Sequence, residues 1–167
     1  MVIDDYLTFL SDVRRLSPNT LRLRSTYMHQ FAEDHDLLTA TTSQLRAWIA
    51  RDRDWSAETV NAATATVRSF YRWAHETDRI DRNPAAPLRG IAVPSRKQRI
   101  ASAEQIALGV GAHRLEVRAM TLLGAECGLR VHEIAKLRPA EREGEWLTIV
   151  GKGSQQRSVH VSPELGE

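Results

Sequence analysis

Apolar residues recur every three to four positions through the first 88 residues, and most stretches so patterned open on a helix-start signal, which commits this part of the chain to packed helices. From Ile3, the positions Tyr6, Leu7, Leu10 and Val13 predict a first amphipathic helix over about residues 3–15. Ser17-Pro18, a cap followed by proline at the first helical position, starts a second that runs to about His35 with Leu21, Met28 and Phe31 inward. A third is expected after Thr42, burying Leu45, Trp48 and Ile49. The fourth, capped by Ser56, has the cleanest stripe: Val60, Ala63, Val67, Phe70, Tyr71 and Ala74. No such helix buries its stripe alone, so residues 1–88 read as one compact helical bundle closed by Asn83-Pro84 and Pro87.

Composition changes at that point. Residues 89–99 contain Gly90 and Pro94, and from Arg82 to Ala103 the charges are Arg82, Arg89, Arg96, Lys97 and Arg99 with no acid among them. A formal net charge of only +2 says little about partners; this local surplus suits either a phosphate backbone or an ordinary solvated linker. Residues 100–167 form a second segment of mixed character. Ser102 caps a short helix; Leu115, Ala119, Leu122 and Leu123 mark a longer one reaching Cys127, which Gly128 stops. Helix resumes from Val131 to Leu137 and is broken by Pro139. Trp146–Val150 and Ser158–Val161 have strand composition and predict a β-hairpin with Lys152 at its tip between Gly151 and Gly153.

The single cysteine, Cys127, rules out an internal disulfide framework or a cysteine-rich zinc site and is expected in a core. No run of 18 apolar residues occurs and the start lacks a signal-peptide pattern, so the expected location is the cytoplasm, with no membrane partner. Ser162-Pro163-Glu164-Leu165 is itself a helix start, from which the sequence is expected to be the front part of a longer protein.

Two positions invite chemistry. Arg130 lies in a turn between helices and offers a planar fork of donors to phosphate oxygens; Lys152, on a hairpin tip, could hand a proton to a departing alkoxide. The residues alone leave the bland readings open: Arg130 as an ion-pair partner of Glu133 or Glu126, Lys152 as a solvated turn residue.

The run Ala125-Glu126-Cys127-Gly128-Leu129-Arg130-Val131-His132-Glu133-Ile134-Ala135-Lys136-Leu137 resembles the first arginine box of the tyrosine site-specific recombinases, or phage integrases. Ile149-Val150-Gly151-Lys152-Gly153-Ser154-Gln155-Gln156-Arg157 is similar to that family's hairpin lysine motif. Ser17-Pro18-Asn19-Thr20-Leu21 with Tyr27 and Phe31, Val67–Trp73 and Asn83-Pro84-Ala85 resemble its core-binding domain, in the same order. The resemblance implies a mainly α chain: a four- to five-helix SAM-like core-binding domain over 1–88, a basic linker over 89–99, and over 100–167 an incomplete α+β catalytic domain with a hairpin.

The chemistry it implies is DNA cleavage and rejoining through a 3′-phosphotyrosyl link, with no metal and no cofactor. Arg130 would clamp the scissile phosphate, Lys152 would protonate the leaving 5′-oxygen and Glu133 would support the arginine. The family's His-x-x-Arg box and nucleophile have no counterpart here, because Tyr6, Tyr27 and Tyr71 all fall in the helical domain at core-type positions and His160 lacks the arginine partner. The expected partners are double-stranded DNA and, in the full-length protein, other recombinase protomers. On the polar helix faces Asn19, Arg22, Thr26, Gln30, Asn61, Arg68 and Arg72 are the expected DNA contacts, joined in the linker by Arg96, Lys97 and Arg99. The competing readings are a non-enzymatic DNA-binding regulator or degenerate remnant using the helical domain alone, and a helical protein-interaction module.

Overall fold

The structure, a computed structural model, describes residues 2–51, 54–95, 97–151 and 155–162. Arg96, Lys152 and the helix start at 163–165 lie outside the described residues. The chain divides between residues 96 and 97 into two compact units.

The first unit is built from α1 (Val2–Asp12), α2 (Pro18–Ala32), α3 (Thr42–Ala50) and α4 (Ala57–Glu76). The side chains of Ser17, Thr41 and Ser56 each accept a hydrogen bond from the N–H three residues on, and Gln44 completes a capping box at α3. The cap of α3 is thus Thr41, with Thr42 inside the helix. The helix expected over 3–15 ends at Asp12: Arg15 takes a positive φ of 49°, Leu16 N–H reaches the Leu10 carbonyl at 3.1 Å, and Val13 is left 66% exposed. Likewise α2 stops at Ala32, short of His35. At the end of α4, Asp78 sits at φ 54° and Arg79 N–H donates to the Ala74 carbonyl while Asp78 N–H donates to His75, which is a Schellman ending.

The core of this unit is aromatic. Tyr6, Phe31, Phe70 and Tyr71 are fully buried and Trp48 nearly so, with Phe70 packed at ring-centroid distances of 5.2 Å from Tyr6, 5.0 Å from Tyr71 and 5.7 Å from Trp73. Residues 84–91 return along the bundle. Thr42 Oγ1 donates to the Pro84 carbonyl at 2.7 Å, and Ala85 and Leu88 join the core. Asn61 then uses both ends of its amide on one residue: Nδ2 donates to the Ile91 carbonyl at 2.9 Å and Oδ1 accepts from Ile91 N–H at 2.8 Å. Gly90 permits this approach, since a Cβ there would stand 2.8 Å from Asn61 Oδ1.

The second unit comprises α5 (Ala103–Val110), α6 (Leu115–Ala125), α7 (Val131–Ile134), a 3₁₀ turn (Pro139–Glu141) and strands β1 (Arg142–Glu143), β2 (Trp146–Val150) and β3 (Gln156–His160). Ser102 caps α5 with Gln105 reciprocating. Two helices are shorter than their patterns predict. Helix α6 ends at Ala125 with Leu115 74% exposed, and α7 is one turn long because Lys136 and Leu137 N–H groups bond three residues back. The expected hairpin is part of a three-stranded antiparallel sheet in the order β1-β2-β3, with Arg142 opposite Leu147, Leu147 opposite Val159 and Ile149 opposite Arg157. Gly144, at φ 59°, makes the β1–β2 turn. Leu123, Leu129, Leu147, Ile149 and Val161 are the buried residues of its core, flanked by Cys127, Ile134, Leu137 and Val159.

Truncating Phe70 to Ala removes a fully buried ring from the aromatic cluster of the first unit and is expected to cost about 3–5 kcal/mol. Urea unfolding should show the loss as a lower midpoint for that unit with little change in slope; a cost under about 1 kcal/mol would mean that the cluster is not the organising core.

Candidate functional site

Chemistry-bearing side chains converge in the second unit, where a turn and a hairpin meet. Leu123 is the last buried residue of α6, and its carbonyl accepts from Leu129 N–H at 3.2 Å across a turn in which Gly128 takes φ 62°. That turn delivers Arg130 to the start of α7. Glu133, three residues on, folds back and accepts the Arg130 backbone N–H on Oε2 at 2.9 Å and its Nη1 on Oε1 at 3.3 Å. The Glu133 side chain is 1% exposed, whereas that of Arg130 is 68% exposed.

The carboxylate has a second partner that the motif reading did not name. Arg157, on β3, donates from Nη1 to Oε1 at 3.0 Å and from Nη2 to Oε2 at 2.9 Å, a two-pronged pair. The sequence signal is the alternation: Arg157 occupies the same strand face as Val159 and Val161, where an arginine either meets an acid or carries its charge out to solvent. The guanidinium of Arg157, then the Arg130 N–H, pull the Glu133 carboxyl down to about 2 against the opposing effect of desolvation. The same pairing raises Arg157.

Lys152, expected at the hairpin tip, lies outside the described residues; its neighbour Gly151 donates N–H to the Gln155 carbonyl at 2.8 Å. His160 stands 3.4 Å from Glu145, with both side chains exposed, and its carbonyl accepts from Cys127 Sγ. Burial pushes the Cys127 thiol up, assisted by Glu126.

The three tyrosines sit in the first unit. Tyr6 accepts a hydrogen bond from Arg24 Nη1 at 3.0 Å, and desolvation raises the phenols of Tyr27 and Tyr71, the latter helped by Asp36. A raised phenol is a poorer nucleophile. Among the described residues no group of three His, Cys, Asp or Glu could hold a metal ion, and no helix is long and apolar enough to cross a membrane.

The expected DNA-contact residues behave unequally. On α2, Arg22 is exposed and bonded to Asn19 at 3.2 Å, Thr26 donates its hydroxyl back to the Arg22 carbonyl, and Gln30 is half-buried. On α4, Arg72 is exposed and Arg68 half-buried. Asn61 is committed to Ile91, so its side chain holds residues 90–91 against the bundle. Lys97 and Arg99 are exposed and Arg96 lies outside the described residues. A cleft of about 290 Å³ in the first unit is lined by Ile49, Val60, Thr64 and Leu88 and edged by Arg46 and Arg89.

Four helices, three of them capped, followed by a unit that sets an arginine on a buried carboxylate beside a small sheet make up a fold shared with lambda integrase. Residues 3–77 match the phage integrase N-terminal SAM-like domain. The chain is 27% identical to the tyrosine recombinase XerC of Xanthomonas axonopodis pv. citri, covering 95% of this chain and 60% of that protein. It is 27% identical to the tyrosine recombinase XerA of Thermococcus onnurineus, covering 99% and 59%. A lambda integrase tetramer bound to a Holliday junction shares the fold at a TM-score of 0.78 and 18% identity, over 99% of this chain and 52% of that one. Residues 3–77 thus carry a phage integrase N-terminal SAM-like domain, and nearly the whole chain is similar to tyrosine recombinases, spanning about 60% of the length of these two relatives.

The depressed carboxyl predicts a pH response with a definite sign. Glu133 stabilises the turn-to-hairpin contact fully above the ordinary carboxylate value of 4.5, and the contribution fades as pH falls from there through about 2. A ¹³C NMR titration of the Glu133 carboxyl should give a midpoint well below 4.5; an ordinary midpoint would contradict the bridge.

Proposed function

We propose that this chain is the DNA-binding front part of a tyrosine-type site-specific recombinase, in which Arg130 clamps a non-bridging oxygen of the scissile phosphate. The observation that carries this reading is the posture of Arg130: its backbone is fixed by a buried carboxylate while two-thirds of its side chain stays open to an incoming anion. Donors fixed before charge develops stabilise a phosphoryl-transfer transition state more than the ground state. Lys152 would protonate the leaving 5′-oxygen, and Glu133 supports the clamp without touching substrate. The nucleophile would be a tyrosine other than Tyr6, Tyr27 and Tyr71, whose burial in the helical unit supports that exclusion. The partners are duplex DNA and, in the assembled recombinase, further protomers.

In this reading the helical unit holds DNA through Arg22, Arg68 and Arg72, with Asn19, Thr26 and Gln30 along the same α2 face, while Arg96, Lys97 and Arg99 track the backbone. No hydrogen bond or ion pair joins Arg68 or Arg72 to another described side chain, which leaves both free to reach a base edge or phosphate. Asn61 takes the separate role of setting where the linker leaves the bundle.

Fluorescence anisotropy with duplex DNA carrying the attachment site should show affinity falling with salt, at a slope of about 0.9 per phosphate contact in a log–log plot. Arg68→Ala or Arg72→Ala is expected to cost about 1–3 kcal/mol with relaxed preference at one base pair if that residue reads a base. Affinity unchanged between low and physiological salt would sink the DNA-binding reading. On a nicked suicide substrate the 167-residue chain should form no covalent adduct; an adduct at Tyr6, Tyr27 or Tyr71 would overturn the exclusion of these residues.

A further inference from the structure

A carboxylate in contact with Arg130 poses a physical difficulty for any anion site there. An ion pair with Glu133 alone would cancel the charge that a phosphate is meant to meet. The geometry resolves it. Arg157 takes both oxygens of Glu133 at 3.0 and 2.9 Å in a planar, two-pronged match, whereas Arg130 reaches one oxygen with one nitrogen at 3.3 Å. The three charges are one buried anion between two cations, and the surplus sits on the more exposed of the two: side-chain exposure is 38% for Arg157 and 68% for Arg130.

We propose that Arg157 is a positioning residue: by satisfying the charge of Glu133 it lets the carboxylate fix the Arg130 backbone without neutralising the guanidinium that Arg130 presents to an anion. This rests on the reading of Arg130 as a phosphate clamp and deepens it. The tie also has a mechanical side. Arg157 pairs with Ile149 across the hairpin, and the loop backbone at Gly151 passes directly over the ion pair, where a Cβ would lie 3.4 Å from Arg157 Nη1 and 3.6 Å from Glu133 Oε1. The arginine turn and the hairpin are therefore anchored to one carboxylate, although 24 residues separate Glu133 from Arg157.

The test is a titration of the ¹⁵N-labelled 167-residue chain with inorganic sulfate at constant ionic strength, reading the Arg130 Nε–H resonance. The wild type should show a saturable shift. Arg157→Gln should weaken sulfate binding by on the order of tenfold, because Glu133 then turns its full charge on Arg130. Glu133→Gln/Arg157→Gln should recover affinity to within about threefold of the wild type, since the neutral amide still accepts the Arg130 N–H and no longer competes for its charge. Glu133→Gln alone should bind sulfate at least as tightly as the wild type, which keeps the proposal testable if Arg157→Gln disturbs folding. Undiminished binding in a folded Arg157→Gln variant, a double variant as weak as the single, or weakened binding in Glu133→Gln would each overturn the role of Arg157 while leaving the Arg130 site standing. No saturable shift in the wild type would overturn the anion site itself, and this proposal with it.

Discussion

One buried carboxylate organises the second half of the molecule. Glu133 is 1% exposed, and a charge so placed persists only when its oxygens are met by donors. Four donors meet it: the Arg130 N–H, one Arg130 guanidinium nitrogen and two from Arg157. Removing any partner leaves part of a buried charge unpaired, so the turn after α6 and the β2–β3 hairpin are coupled in position. Among the described residues the apolar core around them has five buried ones, and a polar bridge of fixed geometry specifies there what so small a core does not specify by packing alone.

The helical unit is organised by a different principle. Its buried set runs from Ile3 to Leu88 and is dominated by interlocking aromatic rings, with each of α2, α3 and α4 begun by a side-chain cap. Surface ion pairs such as Arg51–Asp34 and Arg79–Asp5 are exposed and add little. The fold of this unit is thus set by its core and its caps rather than by its polar faces. The proposed function uses the units accordingly, the first to hold DNA and the second to present a preset cation.

The helical part was legible because its determinants are local. Ser17, Ser56 and Ser102 cap the helices whose starts they mark, and the stripe through Val60, Ala63, Val67, Phe70, Tyr71 and Ala74 is buried from Ala63 onward, with Val60 half-buried. Periodicity overreached where a turn competes with one more helical step: Val13 fits the α1 spacing and Leu115 the α6 spacing, yet both stand in solvent. Asn61 reads as a polar-face residue, and its bond to Ile91 depends on a chain return 30 residues away that spacing does not encode. The Arg130–Glu133 contact lies within one helical turn and was among the pairings open from sequence. Its completion by Arg157 crosses from helix to strand, and only the alternation of Arg157, Val159 and Val161 hinted at it.

The central claim is that the arginine turn is held from the hairpin through Glu133. Amide hydrogen exchange at Arg130 tests it most directly, because that N–H is bound to Glu133 Oε2 at 2.9 Å and to no strand partner. In the wild-type chain the Arg130 amide should exchange as slowly as amides within the β2–β3 ladder, and Glu133→Ala should release it while the α5 and α6 amides keep their protection. Fast exchange at Arg130 in the wild type, or protection that survives the loss of the Glu133 carboxylate, would contradict the account.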